Sequence, residues 1–337
     1  MNTLNTIRKI LLAYILLQTF SYGAFSQEKA VKTVPSGRNA EKIVTEENLR
    51  AGIEFLADTT FGGRATGSKG ACEASMWIGR HFRDAGLLAF SGSYSHTFRT
   101  GDLVGRNMIG FMPGARRSVN ETYVLVVAHY DTYGSMDGKI LPGADSNASG
   151  VVAMMNIIGM FQYMKGLGRL YGSNLIFLAT DAKEKSSAGA EAFMTALDEG
   201  IFRDPVSQAV ISKRQIKNVV VLDILGATLE PIHKGRKDYL IMLGSAGERY
   251  DLTSANSNPG LGLDLGFDYY GSKSFTDLFH HRSGDQMVFH RNGLPVTYFS
   301  SGITRKTNKV EDDSESLNYE VFRKRILLIF HWLTKTL

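Results

Sequence analysis

Cysteine is almost missing from this chain of 337 residues. Cys72 stands alone, so no internal disulfide can form and a small disulfide-stapled fold is excluded. Proline is sparse as well, at 7 residues, and no Pro/Gly/Ser linker or internal repeat divides the chain. One large domain is therefore expected over residues 27–337. No apolar run reaches the roughly 20 residues that a bilayer-spanning helix needs, and the candidate at residues 10–20 is too short. Excess charge is small: the net charge is +5, and Arg8 and Lys9 sit in a segment expected to be removed. What remains is too weakly basic to point to nucleic acid.

What is present begins with a basic start, the short apolar run, and small residues at Ala24 and Ser26. That is the layout of a secretory signal peptide, with cleavage expected after Ser26; an uncleaved anchor is the alternative. The mature protein is expected to be exported, periplasmic or secreted, with no stable membrane span. Thr45 reads as the N-cap of a helix through Ile53 and Leu56, and a second helix follows FGGRATGSKG as far as Ala85. Cys72, among Ala71, Ala74, Ile78 and Phe82, is expected at a buried helix position and not as a nucleophile. Strand-like runs at residues 123–128, 175–180, 219–222, 239–243 and 296–300 alternate with helical patterns at 150–163 and 187–197. This predicts an α/β fold, a mixed and mostly parallel sheet with helices on both faces.

Polar residues gather just beyond these runs. His129 and Asp131 follow the first, in VLVVAHYDTYG, and Asp145 lies in LPGADSNASG before the next helix. Asp181, Lys183 and Glu184 follow the second run, and Asp223 ends the third. Ligands of open α/β sheets bind beyond the carboxyl ends of strands, so these side chains can converge there. One imidazole with several carboxylates suits zinc or a similar divalent ion. Each residue alone also has an ordinary role open to it, as a turn, a helix cap or a hydrogen-bonded strand end.

GGRATGS, AHYDT, PGADSNASG, the Asp-x-x-Glu loop, LDILG and RSGDQMVFHRNGLPVTYFSSG follow one another in one order. In this the chain resembles the co-catalytic zinc aminopeptidases and, more distantly, the glutaminyl cyclases, from about Glu46 to its end. The resemblance implies a three-layer α/β/α fold, peptide or amino-acid ligands, and a pair of zinc ions bridged by an aspartate. On that pattern His129, Asp145 and Asp223 would hold one ion. Asp131 would fix the His129 tautomer, as such partners do. Asp145, Glu184 and a late histidine would hold the other ion, and the residue before Glu184 would be the general base.

Two positions depart from the pattern. The general-base position carries Lys183, which cannot accept a proton while it is an ammonium ion. The late histidine position, counted back from Leu317-Asn318-Tyr319, carries Asn308, a poor zinc ligand beside imidazole. His280, His281 and His290 lie upstream, flanking a loop with one extra residue, Gly284. Three carboxylates, Asp145, Glu184 and Asp223, match one zinc ion plus the Lys183 ammonium. One ion is therefore expected instead of two, with Lys183 either replacing the second or pointing to solvent. Three functions follow: a member with lost or reduced hydrolysis, an active one-metal aminopeptidase, and a single-zinc glutaminyl cyclase. The last fits worst, because the chain keeps His129 and lacks the late histidine.

Overall fold

The computed structural model describes residues 37–115, 121–228 and 235–337. The expected signal peptide at 1–26 lies outside the described residues. Eleven strands are found among the described residues, the central ones rich in the β-branched and aromatic residues that favour strands. They are β1 (Leu88–Ala89), β2 (Ser95–Thr100), β3 (Leu103–Met112), β4 (Tyr123–His129), β5 (Ser135–Met136) and β6 (Lys139–Ile140). They continue with β7 (Asn174–Thr180), β8 (Ile216–Leu222), β9 (Tyr239–Leu243), β10 (Asp264–Gly266) and β11 (Val296–Ser300). Nine of these make one mixed sheet in the order β1-β3-β7-β4-β8-β11-β9-β10, with β2 paired to β3. The neighbours β7, β4, β8 and β11 run parallel in its centre, while β3 and β9 join them antiparallel.

The longer helices are α1 (Glu46–Leu56), α2 (Lys69–Asp84), α3 (Ser149–Gly166), α4 (Ala188–Asp198), α5 (Ala246–Asn256), α6 (Gly284–Arg291) and α7 (Tyr319–Thr336). They cover both faces of the sheet. Along β4, Val124, Val126 and Ala128 pack with Val151, Ile158, Phe322 and Phe330 from α3 and α7. The alternate residues Leu125 and Val127 pack with Phe193, Leu197 and Phe289 from α4 and α6. Successive strand side chains point to opposite faces, so a strand buried on both must be apolar throughout. The three-layer α/β/α arrangement is thus as the sequence implies. No helix among the described residues is long and apolar enough to cross a membrane.

Two local features prepare the site. Thr45 caps α1, its Oγ1 accepting the N–H of Asn48 at 3.2 Å, and α2 starts from Ser68, whose Oγ accepts from Ala71 at 3.1 Å. In the GGRATGSKG turn, a Cβ on Gly70 would lie 1.9 Å from the carbonyl oxygen of Gly63, so only glycine lets the turn close against the helix. Cys72 corrects the sequence reading. It is exposed on α2, because the buried stripe of Ala71, Ala74, Ile78 and Phe82 leaves position 72 on the adjoining face.

Candidate active site

The parallel strands bring their carboxyl ends to one edge. His129 ends β4 and Thr180, its partner in register, ends β7. Val127 pairs with Val221, so two residues further His129 comes beside Asp223, just past β8. His129 Nε2 lies 3.5 Å from Asp223 Oδ1, without hydrogen-bond geometry, and has no hydrogen-bond partner although it is buried. On the other side of the ring Nδ1 is 3.1 Å from the Asp131 carbonyl oxygen and 3.4 Å from its Oδ1. Burial and the nearby Lys183 ammonium press the imidazole pKa down, but Asp131 and Asp223 outweigh them and lift it to about 10. Asp223 moves the other way. Burial would raise it, yet Lys183 and His129 hold it near 2.

Asp131 does more than orient a ring. Its Oδ1 accepts the N–H of Lys183 and its Oδ2 the N–H of Glu184, both at 3.0 Å. The loop it grips is tightly wound, with left-handed residues at Ala182, Ser186 and Ser187. Within it Lys183 Nζ bonds to Glu184 Oε1 at 2.9 Å, and the lysine side chain is only 18% exposed. Lys183 therefore turns inward. Burial alone would lower its pKa, but Asp223, Glu184 and Asp131 together hold it above the ordinary lysine value, so it is an ammonium ion.

The DSNASG turn is bonded at nearly every polar atom. Asp145 Oδ1 accepts from Gly226 at 2.7 Å, an approach possible because a Cβ on Gly226 would press on Leu317 at 2.5 Å. Asn147 ties its Nδ2 to the Leu222 carbonyl, and Ser149 links the Asp145 carbonyl to Leu225. The peptides Ser146–Asn147 and Asp223–Ile224 are cis. The exception is Asp145 Oδ2, which is buried without a partner. Burial raises the Asp145 pKa.

Four buried residues that sequence reasoning did not single out support this centre. Asp312 accepts the N–H groups of Asp145 at 2.7 Å and Ser146 at 3.1 Å. Burial and the neighbouring Asp145 push its pKa up to about 7. Arg64, from GGRATGS, donates to the carbonyls of Leu56, Tyr130, Pro142 and Gly143, fastening the AHYDT and PGADS segments together. Arg325 of α7 donates to Leu225, Ala227 and Tyr239. Asp285, in the first turn of α6, accepts from Thr180 Oγ1 at the end of β7. Arg64 and Asp285 lay inside motifs already noted; their partners are distant in sequence and left no local signal.

Asn308, the residue expected at the late-histidine position, has a φ of 59°, a backbone shape that asparagine tolerates well. Its Oδ1 accepts from Ser146 Oγ at 2.7 Å. No hydrogen bond or ring contact joins a histidine to Asn308 among the described residues. His280, His281 and His290 stack on one another, with ring centroids 4.3 to 6.1 Å apart. Their other partners are Asp277 and the Val296 carbonyl.

Among the described residues no three His, Cys, Asp or Glu side chains are grouped closely enough to hold a metal ion. Two of the expected ligands nonetheless stand at the spacing that zinc needs. Two ligands of one tetrahedral zinc, each about 2.0–2.1 Å from it, stand roughly 3.3 Å apart. His129 Nε2 and Asp223 Oδ1 are separated by 3.5 Å, and both that nitrogen and Asp145 Oδ2 are buried and unpartnered. At the residues expected to hold the other ion, an ammonium is bonded to Glu184 and the Asn308 amide to Ser146.

The sequence model described as Peptidase family M28 matches residues 107–333. Solved structures agree on the architecture. LapB from Legionella pneumophila is 14% identical with a TM-score of 0.66, covering 89% of this chain and 74% of that one. BSAP, a zinc aminopeptidase from Bacillus subtilis, is 12% identical with a TM-score of 0.64, covering 87% and 95%. A Zn-dependent exopeptidase from Parabacteroides distasonis ATCC 8503 is 16% identical with a TM-score of 0.61, covering 90% and 99%. At these identities the likeness is one of fold. No curated protein matches the chain.

Proposed function

The chain belongs to peptidase family M28, and from that premise we propose that it is an exported member that binds a peptide or amino acid in the family pocket while its hydrolysis is lost or strongly reduced. One observation carries the reading: Lys183, at the general-base position, is bonded to Glu184 at 2.9 Å and faces Asp223. Proton abstraction from an attacking water needs an unprotonated group within reach, and general-base help is worth about 10²–10⁴-fold in rate. An ammonium held by carboxylates cannot give it. The lysine instead supplies positive charge where the second ion of the resembled enzymes would sit.

One zinc ion is compatible with His129, Asp145 and Asp223. When bound there it would polarise a carbonyl as a Lewis acid. The residues themselves bind and orient. Asp131 holds the 183–184 loop, and Asp312 and Arg64 hold the Asp145 turn. A second reading, an active one-metal aminopeptidase, draws support from the unpartnered Nε2 of His129 and Oδ2 of Asp145. Signal-peptide layout supports export, and the kept His129 with Asn308 at the late-histidine position argues against the glutaminyl cyclase alternative.

The test is hydrolysis of a panel of aminoacyl chromogenic substrates with zinc added, comparing the native protein with Lys183→Glu, Asn308→His. Cleavage by the double variant alone is expected. Cleavage by the native protein at a rate the variant does not exceed would overturn the proposal and favour the second reading.

A further inference from the structure

A cavity of about 350 Å³ opens beside Asp145, lined by Asp145, Asp312, Thr228, Thr304, Arg305 and Lys306. That volume lies at the small end of ligand pockets, which run from about 300 to 1,000 Å³. Its two ends differ in chemistry. Asp145 and Asp312 are 2% and 1% exposed and form the buried end, where Asp145 Oδ2 has no partner. Arg305 and Lys306 are exposed, and neither side chain makes an ion pair or hydrogen bond among the described residues.

The charges at the buried end have cations of their own. Arg325 lies near Asp145 and Arg64 near Asp312. Among the described residues, Arg305 and Lys306 are thus not consumed in neutralising carboxylates. The segment that carries them is pinned beneath: Ile303 N–H donates to Tyr269 Oη at 3.0 Å, Thr304 N–H to Thr307 Oγ1 at 2.9 Å, and Lys309 N–H to the Lys306 carbonyl at 3.0 Å. Two cations that are unpaired among the described residues, on a loop bonded in place and lining a cavity whose buried end carries Asp145 and Asp312, describe a receptor for a ligand with an amine at one end and a carboxylate at the other.

We infer that this cavity selects ligands carrying a free carboxylate close to the amino terminus, with Arg305 and Lys306 holding the carboxylate and the amine directed toward the acidic end of the cavity. The inference rests on the reading that the family pocket receives peptides, and adds a preference for anionic ones. Guanidinium and carboxylate pair by charge-assisted, often bidentate hydrogen bonds, so Arg305 supplies direction and Lys306 adds charge. The carboxylate can come from an acidic first side chain or from the C-terminus of a dipeptide.

Calorimetric titration of the native protein distinguishes these sources with three probes. Glu-Ala amide carries only the side-chain carboxylate, Ala-Ala only the terminal one, and Ala-Ala amide neither. At least one anionic probe is expected to bind about tenfold or more tightly than Ala-Ala amide, and the advantage to shrink at high salt. Arg305→Ser, Lys306→Ser is expected to remove that advantage while leaving Ala-Ala amide binding and the melting temperature unchanged. Equal binding of all three probes, or an advantage that survives the double variant, overturns the inference and leaves peptide binding standing. Binding of none defeats the peptide reading itself, and the inference with it.

Discussion

The ammonium of Lys183 lies 2.9 Å from the carboxylate of Glu184, its own neighbour in sequence. Adjacent side chains in regular structure diverge. These two meet because the loop winds through left-handed Ala182 and is gripped by Asp131 at both amides. The pair then shares its surroundings with Asp223 and His129, so the centre holds its cations and anions at close quarters without any ion added.

Replacing Lys183 by methionine keeps the stem and deletes the charge. Glu184 and Asp223 are then left facing each other without a cation, a loss of about 1–3 kcal/mol for a pair that is mostly but not wholly buried. Lys183→Met is therefore expected to melt lower than the native protein and to be stabilised more by added zinc. Melting curves with and without zinc check this. An unchanged melting temperature with an unchanged zinc response would mean that the ammonium is not a charge substitute.

Asp131→Asn tests the grip on the loop. The amide can accept only through its carbonyl oxygen, so one of the two N–H groups at 3.0 Å loses its acceptor inside the protein. A cost of about 1–3 kcal/mol follows. Hydrogen exchange at the Lys183 and Glu184 amides should speed up more than exchange along β4. Uniform acceleration everywhere would assign Asp131 to global stability alone.

The layers of the fold were legible because β4, β7, β9 and β11 are mostly apolar and buried at every position. The β2–β3 hairpin was not. Its strands mix exposed and buried residues, and Gly105 and Gly110 interrupt the β-forming pattern. His129 and Asp223 could be read as neighbours-to-be because both end strands. The inward turn of Lys183 could not, since it depends on the left-handed backbone of the loop and on Asp131, 52 residues away. Cys72 was misread by its residue type. Cysteine is usually buried, but the helix register puts position 72 outside the apolar stripe.

Arg64 is a clamp that lysine cannot replace. It is 1% exposed, and its planar fork reaches four backbone carbonyls on three segments. Arg64→Lys has three donors for four carbonyls and no planar fork to reach them, so it leaves at least one unsatisfied in the interior, costing about 1–3 kcal/mol. The measurement is chemical denaturation. A loss below about 0.5 kcal/mol, the size of an ordinary surface change, would show that water or local repacking satisfies them.

The imidazole stack gives a pH dependence. His280 and His290 both have pKa values below the usual histidine range, through burial first and the neighbouring His281 second. Glu248 and the Val296 carbonyl oppose the shift at His280 without reversing it. The folded protein thus keeps these rings neutral at pH values where the unfolded chain, with pKa about 6.5, takes up protons. Stability present above about pH 6.5 is lost as pH falls toward the lowered folded values. His280→Asn, His290→Asn should flatten the decline in melting temperature between pH 7.5 and 5. An unchanged slope would place the pH dependence elsewhere.

Zinc stoichiometry is where the charge and geometry of the centre meet. His129 Nε2 and Asp223 Oδ1 stand at the separation of two ligands on one ion, and Asp145 Oδ2 waits unpartnered. Beside Glu184 there is a cation already, and at Asn308 an amide bonded to Ser146. A second dication there would have to displace the ammonium from its carboxylates and then do without an imidazole. The native protein is therefore expected to bind no more than one zinc by elemental analysis, and His129→Ala none. Lys183→Glu, Asn308→His is expected to bind two, because it adds a carboxylate, removes the competing charge and restores a nitrogen ligand. Two tightly held ions in the native protein would mean that Lys183 swings out when metal enters, and that its bond to Glu184 describes only the metal-free centre.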